Sequence, residues 1–282
     1  MSSLAWRLLG RELRSGELRL LLAALVVAVA AVTAVGFFTD RVRLALEQEA
    51  QQLLGGDLLL ISDHPWAAAI RDEAVRRGLK MAETVSFPSM VLADGRTQLA
   101  DIKAVSSAYP LRGSLRRANR AGEVGAATAG GPPPGTAWLD ERLANALESG
   151  PGKTVQLGQS GLPVSAILTL EPDRGINFFS LAPRLMMHLD DLPGTGLVQT
   201  GSRITYRFMV AGDAGAVAGF RSWVEPRLGR GERLEDTRNA RPEIRNVLDR
   251  AQRFLGLATL LTVILAAVAV ALAARRYMQR HL

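Results

Sequence analysis

Two long runs without an ionisable side chain decide how this sequence is organised. Residues 20–39 read LLLAALVVAVAAVTAVGFFT, and residues 254–274 read FLGLATLLTVILAAVAVALAA. An α-helix rises about 1.5 Å per residue, so each run makes a helix of about 30 Å, the thickness of the hydrocarbon core of a bilayer. We therefore predict two transmembrane helices, over residues 20–39 and 254–274, with a large loop between them.

The first run has two alternative interpretations, a buried core helix and a cleaved signal peptide. Ala28, Val29 and Ala30 are small residues of the kind that precede a signal-peptide cleavage site. The apolar region of a signal peptide is usually about 7–15 residues long, and this run is longer, which favours an uncleaved span.

The arginines outside the two runs predict the orientation in the membrane. Residues 1–19 carry a net charge of +2 and residues 275–282 a net charge of +3, which leaves +2 of the total +7 for the loop. Positive charge stays in the cytoplasm, and a loop of this length crosses largely regardless of its own charge. We therefore expect both termini in the cytoplasm and the large loop on the extracytoplasmic side of the membrane. The basicity lies at the membrane edges, so no nucleic-acid partner is expected.

Composition excludes several classes of site. The 282 residues include no cysteine, which excludes disulfides, thiol catalysis, Fe–S clusters and zinc sites of the cysteine type. The three histidines do not recur at metal-ligand spacing, and neither apolar run contains the buried charge that a proton relay needs. We predict no catalytic, cofactor-binding or metal-binding residue.

Segments with helical patterns flank both spans. Residues 1–19 suit an interfacial helix on membrane lipids, because Trp6, Leu9 and Leu13 share one face; a frayed tail with topogenic arginines is the alternative. Residues 40–54 contain no Gly or Pro, and residues 242–253 begin with a Pro at a suitable first helical position. We expect these two segments to be helical stalks, and residues 275–282 to be a short cytoplasmic tail.

The sequence pattern of residues 55–241 predicts a mixed α+β domain outside the membrane. The first expected elements are strand 57–61, helix 66–77 and a hairpin of strands 81–92 and 97–105 around an Asp94-Gly95 turn. Strand 203–210, helix 213–228 and strand 232–235 are expected near the end of this range. This βαββ…βαβ order is typical of a ferredoxin-like unit with an insertion, which we place at about residues 136–200. The inserted subdomain is expected to contain helix 138–147, hairpin strands 154–157 and 164–170, and an irregular segment 175–192. The Gly- and Pro-rich stretch 116–135 is expected to be an exposed loop.

Four short motifs have functional alternatives that we disfavour. Gly152-Lys153-Thr154 resembles the end of a phosphate-binding loop, but position 147 is Leu and a strand pattern follows. Asp63-His64-Pro65 is expected to be a turn at a helix start. The pairs Asp140-Glu141 and Asp190-Asp191 are expected to be solvated charges. The apolar segment Asn177–Leu181, with Met186-Met187, could contact a lipidic substrate or a partner, but packing is favoured.

Several sequence segments, spread over nearly the whole chain, resemble those of a known family. They are VTAVGFFTDRV (32–42), LADGRTQLADIKAV (92–105), YPLRG (109–113), WLDERL (138–143), EPDRGINFFSLAPR (171–184), RLEDTRNARPEIR (233–245), FLGLA (254–258) and AARRYMQRHL (273–282). The sequence resembles the FtsX-like ABC transporter permease family, whose outer part is a MacB-like periplasmic core domain, and within it the YbbP-type subgroup.

The resemblance implies a non-catalytic permease subunit that works with a separate cytoplasmic ATPase and with a remaining permease half or second permease copy. Related permeases export substrates, extract lipoproteins or transmit mechanical force. They continue after the second span into a coupling segment and further spans, so the resemblance implies an N-terminal portion. A two-span scaffold or a sensory protein with an extracytoplasmic ligand-binding domain is the alternative.

Overall fold

The computed structural model describes residues 54–174, 182–199 and 201–236, together with scattered helical positions between 26 and 52 and between 253 and 279. The chain divides into two compact units, which are treated separately below. Unit 1 comprises Met1–Leu46 with Arg241–Leu282, and unit 2 comprises Glu47–Ala240.

Unit 1 is helical at its described positions, and large apolar side chains are exposed there. Phe37, Phe38 and Phe254 are examples, and the Thr33 hydroxyl donates to the carbonyl of Val29, one helical turn earlier, at 2.7 Å. No helix within the described residues is long and apolar enough to cross a membrane. The predicted interfacial helix 1–19 lies outside the described residues, as do most of the predicted spans, the stalks and the cytoplasmic tail.

Unit 2 contains eleven strands and three α-helices within the described residues. In chain order they are β1 (Leu58–Ser62), α1 (Ala68–Arg76), β2 (Lys80–Ala93), β3 (Arg96–Val105), β4 (Leu115–Ala118), β5 (Ala126–Thr128), β6 (Ala137–Asp140), α2 (Glu141–Leu147), β7 (Thr154–Leu157), β8 (Ser160–Leu170), β9 (Arg184–His188), β10 (Thr205–Ala211), α3 (Ala214–Val224) and β11 (Arg233–Asp236).

Four of these strands form an antiparallel ferredoxin-like sheet in the order β11-β1-β10-β2. Helix α1 connects β1 to β2, and α3 connects β10 to β11, as the βαββ…βαβ order of the sequence predicts. The second strand of the predicted hairpin, β3, pairs with β2 on the side away from β10 and belongs to the ring described next. Both helices cover one face of the sheet, where Leu60 and Phe208 from the strands pack with Ala74 and Phe220 from the helices.

The inserted strands close into a ring on the long strand β2. Its order is β2-β3-β9-β6-β8-β7, and β7 pairs with β2 again; β4 and β5 extend outward from β8. The pairs β3/β9 and β6/β8 are parallel, whereas the other pairs in the ring are antiparallel. Apolar side chains fill the inside, with Ile102, Leu139 and Leu185 fully buried and α2 packed against them through Leu143.

A second apolar cluster joins the two parts of unit 2. Leu59 and Met209 from the ferredoxin-like sheet pack with Trp138 and Met186 from the ring. Leu54, the first residue of the continuous described range 54–174, packs in the same cluster. The two sheets therefore share a core and β2, which favours their moving together.

The β2–β3 hairpin turns where the sequence predicts. Asp94 and Gly95 both have positive φ, of 47° and 79°, as a two-residue hairpin turn of the primed type requires. Ten consecutive residue pairs follow in register from Ala93↔Arg96 to Thr84↔Val105.

Three secondary-structure predictions for the insertion are wrong. The helix expected over 138–147 begins at Glu141, because Ala137–Asp140 is strand β6 between β8 and β9. The loop expected over 116–135 includes strands β4 and β5, which pair with each other, so the inserted strands begin well before residue 136. The segment expected to be irregular over 175–192 contains β9, a fully buried strand; residues 175–181 lie outside the described part.

Candidate functional site

The most unusual chemical feature of unit 2 is a set of ionisable side chains buried in its interior. We call Lys103, Tyr109, Glu171, Asp173 and Arg184 the buried ion cluster. Lys103 comes from β3, Tyr109 from the loop after β3, Glu171 and Asp173 from the segment after β8, and Arg184 begins β9. Each is less than one-tenth exposed. Charged groups are almost never buried to this extent unless they are paired.

Lys103 is the centre of the cluster. Its Nζ donates to Glu171 Oε1 at 2.6 Å and to both carboxylate oxygens of Asp173 at 2.7 and 2.8 Å. The same ammonium lies 2.9 Å from the Tyr109 hydroxyl, which in turn donates to Asp173 Oδ1. One buried ammonium thus connects three segments that are up to 70 residues apart in sequence.

Two arginines complete the charge balance. Arg184 pairs with Asp101 at 3.0 Å and with Glu171 at 3.1 Å. Arg207, from β10 of the ferredoxin-like sheet, approaches Asp173 at 3.8 Å. Three cations therefore face three carboxylates, and the network extends from the ring into the ferredoxin-like sheet.

The protonation states follow from this pairing. Burial raises the pKa of Asp173, but the charges of Lys103 and Arg207 and the hydrogen bonds from Lys103 and Tyr109 hold that pKa below its ordinary value. Burial, together with the neighbouring carboxylates, raises the pKa of Tyr109 well above its ordinary value. Asp173 is therefore ionised and Tyr109 protonated at neutral pH. The stability that Asp173 contributes is present above the ordinary carboxyl pKa of about 3.9 and is lost as the pH falls through the lowered folded-state value.

The alternation of β3 explains why a lysine is buried there. Ile102 and Ala104 point into the ring, while Lys103 lies on the opposite face, opposite Ser86 of β2 and Met186 of β9. That face is covered by Tyr109 and the segment after β8, so that a position typical of an exposed strand face becomes buried. Sequence reasoning missed the cluster, although a lysine in an apolar strand and the Glu-Pro-Asp string at 171–173 were visible signals.

The cluster adjoins the point at which the chain enters unit 2. A helical residue, Leu54, is followed by Gly55 with a φ of 69°, in the left-handed region that ends many helices. An added Cβ on Gly55 would lie 3.1 Å from Met209 Sδ and 3.8 Å from the Tyr109 ring. The positive φ therefore favours glycine at this position, and a Cβ would also approach Met209 closely.

Three further contacts fix this segment, which we call the N-terminal junction (Gly55–Asp57 with Leu111 and Arg112). The backbone N–H groups of Leu111 and Arg112 donate to the Gly55 carbonyl at 3.0 and 3.1 Å. The Arg112 guanidinium donates to both Asp57 oxygens at 2.9 and 2.8 Å, and the hydrogen bond to Asp57 raises the pKa of Arg112. Because Leu111 follows Tyr109 by two residues, the junction and the buried ion cluster are adjacent along the chain.

The last described strand of unit 2 lies beside the first. Leu58, the first residue of β1, pairs with Asp236, the last residue of β11. Asp236 is buried and accepts a hydrogen bond from Arg221 of α3. The first and the last described strands of unit 2 are therefore antiparallel neighbours.

The motifs singled out in the sequence do not come together in one site. Gly152 and Lys153 form a turn before β7, where Lys153 Nζ contacts Asp94 at 2.9 Å and the Glu148 carbonyl at 2.9 Å. The carboxylate of Asp191 accepts from the Gly135 backbone at 2.7 Å. Within the described residues no group of three or more His, Asp or Glu side chains is arranged to hold a metal ion.

The prediction of a solvated Asp140 is wrong. Asp140 is buried, because it caps α2 by accepting from the Leu143 N–H at 2.8 Å and pairs with Arg174 at 2.8 Å. Short polar side chains are preferred at this capping position because they satisfy a free backbone N–H. Its neighbour Glu141 accepts from the Gly122 N–H at 3.0 Å.

The chain is similar to proteins of known family. The family described as the MacB-like periplasmic core domain matches residues 20–243. A protein of Escherichia coli K12 described as an uncharacterized ABC transporter permease, YbbP, is 36% identical over 267 residues, which are 95% of this chain and 32% of that protein. This chain therefore spans about a third of the length of the curated relative that it matches.

Solved structures are similar at low identity. The periplasmic region of MacB from Actinobacillus actinomycetemcomitans is 12% identical, with a TM-score of 0.40 over 66% of this chain and 92% of that one. The extracellular domain of YknZ, a noncanonic ABC-type transporter from Gram-positive bacteria, is 10% identical, with a TM-score of 0.42 over 64% of this chain and 100% of that one.

Removing the central cation tests the buried ion cluster. Lys103→Met leaves Glu171 and Asp173 buried without their main partner, and we expect the free energy of unfolding to fall by about 3–5 kcal/mol. The matched control is Lys153→Met, which removes an exposed pair with Asp94 and should cost less than about 1 kcal/mol. Urea unfolding of the purified chain in detergent micelles, followed by tryptophan fluorescence, compares the two. Equal losses of unfolding free energy in the two variants would show that the buried ion pairs stabilise unit 2 no more than an exposed pair does.

Proposed function

This chain belongs to the MacB-like periplasmic core domain family, and from that premise we propose that it serves in the permease of an ABC transporter. The observation that carries the proposal is the 36% identity to an ABC transporter permease over 95% of this chain. The family match also includes the apolar run 20–39 together with the folded unit. The apolar run and the folded unit thus fall within one family match.

We propose a specific arrangement in the membrane. Residues 20–39 and 254–274 span the bacterial inner membrane, both termini lie in the cytoplasm, and unit 2 lies outside. Residues 1–19 contact lipid headgroups through their arginines. The exposed apolar side chains at the described helical positions of both runs support contact with lipid.

We propose that the partners are a cytoplasmic ABC-type ATPase and a remaining permease half or second permease copy. ATP hydrolysis by the ATPase would move the spans, and the stalks would carry that movement to unit 2 for export, extraction or mechanotransmission. In this arrangement the subunit is not an enzyme, because the ATPase activity lies in the partner.

The geometry of unit 2 supports the transmission of movement. The N-terminal junction connects the helical end at Leu54 to Tyr109 and hence to the buried ion cluster, without a freely exposed linker. At the other end, Asp236 is held by β1 and by Arg221. A displacement applied at either connection would therefore act on the packed interior of unit 2, whereas a flexible linker would absorb it.

Cysteine labelling tests the proposed topology, and the chain has no cysteine of its own to interfere. Val124→Cys, at a position 92% exposed in unit 2, should react in intact cells with a maleimide that cannot cross the inner membrane. Ser2→Cys and Gln279→Cys should react only after the membrane is permeabilised. Labelling of Ser2→Cys in intact cells, with protection of Val124→Cys, would refute the topology.

A stalk variant tests the transmission of movement. Glu47→Gly with Gln48→Gly should weaken the predicted helix by about 1 kcal/mol per glycine, and Glu47→Ala with Gln48→Ala is the control that keeps the helix. In the permease restored with its remaining half and its ATPase in nanodiscs, a fluorophore at Val124→Cys reports ATP-driven movement of unit 2. We expect the glycine pair to keep ATP hydrolysis but lose the fluorescence change, and the alanine pair to keep both. An equal response from both variants would show that residues 40–54 are only a tether.

A further inference from the structure

A histidine links the end of β1 to the loop before β11. His64 lies two residues beyond β1, and its Nδ1 is 2.7 Å from Asp63 Oδ1 and 3.1 Å from Ser62 Oγ. Its Nε2 is 3.1 Å from Glu232 Oε1, on a residue 168 positions away that directly precedes β11. We call His64 with Asp63 and Glu232 the His64 bridge.

The bridge requires a doubly protonated ring. An ionised carboxylate only accepts hydrogen bonds, and a neutral imidazole carries one N–H. Both ring nitrogens face carboxylate oxygens here, so both contacts are hydrogen bonds only when the ring is the imidazolium. A neutral His64 can keep the bond to Asp63 or the bond to Glu232, but not both.

Glu232 connects the bridge firmly to the strand that follows. Its Oε2 accepts from the Gly229 N–H at 2.6 Å, which fixes the carboxylate in its own loop, and only 13% of its side chain is exposed. Gly231, beside it, has a φ of 84°, and an added Cβ there would lie 2.5 Å from Asp63 Oδ1. The loop therefore approaches the β1 end closely.

Besides the His64 bridge, strand β11 is held by its pairing with β1, by the packing of Leu234 against the apolar core and by an ion pair at its far end. It is four residues long and, among the described strands, pairs with β1 alone at the edge of the sheet. Arg221 contacts Asp236 at its far end, and the His64 bridge lies at its near end. Arg233, its first residue, pairs with Glu235 at 3.2 Å.

We propose that the His64 bridge stabilises β11 in a protonation-dependent way. Both hydrogen bonds of the bridge form when His64 is protonated, and the bridge is weaker when His64 is neutral. The charged groups that face the imidazole are Asp63 from its own turn and Glu232 from the loop before β11, while Ser62 contributes a neutral hydroxyl. Both charged groups favour the imidazolium. The inference concerns unit 2 alone and does not rest on the proposed function.

The sign of the pH dependence follows from the shift. The hydrogen bond to Asp63 raises the pKa of His64 and burial lowers it, while the hydrogen bond and the charge of Glu232 raise it, so that the pKa lies above its ordinary value. A group whose folded-state pKa is raised contributes stability that is present below its unfolded pKa and is lost as the pH rises through the folded value. Strand β11 is therefore held most firmly below about pH 6.5, the ordinary histidine value.

Hydrogen exchange of the full chain in detergent micelles tests this proposal. After correction for the intrinsic pH dependence of exchange, a peptide covering 229–236 should lose protection about threefold between about pH 5.5 and about pH 8.5, a modest change because exposed ion pairs are weak. A β3 peptide is the internal control and should not change. His64→Gln and Glu232→Gln should each abolish the pH dependence, with protection at the high-pH level of the parent.

Because His64→Gln and Glu232→Gln each remove one side of the His64 bridge, either variant suffices for the test if the other folds poorly. Protection of 229–236 that is the same at both pH values in the parent would overturn the proposal. It would also be overturned if either folded variant kept the pH dependence of the parent, because another group would then be responsible.

Discussion

The placement of one ammonium group between two carboxylates is the constraint on which the rest of unit 2 depends. Lys103 Nζ lies within 2.9 Å of Glu171, Asp173 and Tyr109, and none of these side chains reaches solvent. A buried charge without its partner costs several kcal/mol, so each of these side chains is stable in the interior only while its partners are in place. The interaction therefore selects one arrangement of the ring, the loop after β3 and the segment after β8.

That arrangement determines how the ends of unit 2 are connected. The loop that delivers Tyr109 also delivers Leu111 and Arg112 to the N-terminal junction, so the contacts that fix Gly55 depend on the same loop as the buried ion cluster. Strand β1 then runs directly from the junction to the His64 bridge, and β11 returns beside it to Asp236. A permease in which the outer domain must respond to the membrane would need both connections to be stiff, and the pairing of β1 with β11 places them side by side.

Local patterns in the sequence predict the β2–β3 hairpin and much of the ferredoxin-like sheet. The Asp94-Gly95 turn, the apolar alternation of β2 and β3 and the helix 214–224 are all determined by residues close together in the chain. The sequence predicts helix at β6 because the apolar residues Trp138 and Leu139 fit the helical pattern of α2, which follows directly. The pairing of this segment with β8 and β9 makes it a strand. A lysine in an apolar strand and a Glu-Pro-Asp string are signals in the sequence, but their pairing in the buried ion cluster does not follow from it, since Glu171 and Asp173 are 68 and 70 residues from Lys103. Asp140 was misjudged for a related reason: its partner Arg174 is 34 residues away.

Pulsed electron spin resonance between two labels tests most directly whether the ferredoxin-like sheet and the ring form one stiff body. Val75→Cys on α1 and Val124→Cys between β4 and β5 are exposed positions, 60% and 92%, on the two parts of unit 2. In the otherwise native chain we expect one narrow distance distribution, which broadens in Lys103→Met under conditions where that variant remains folded. A broad distribution in the native chain, or an equally narrow one in folded Lys103→Met, would contradict this expectation.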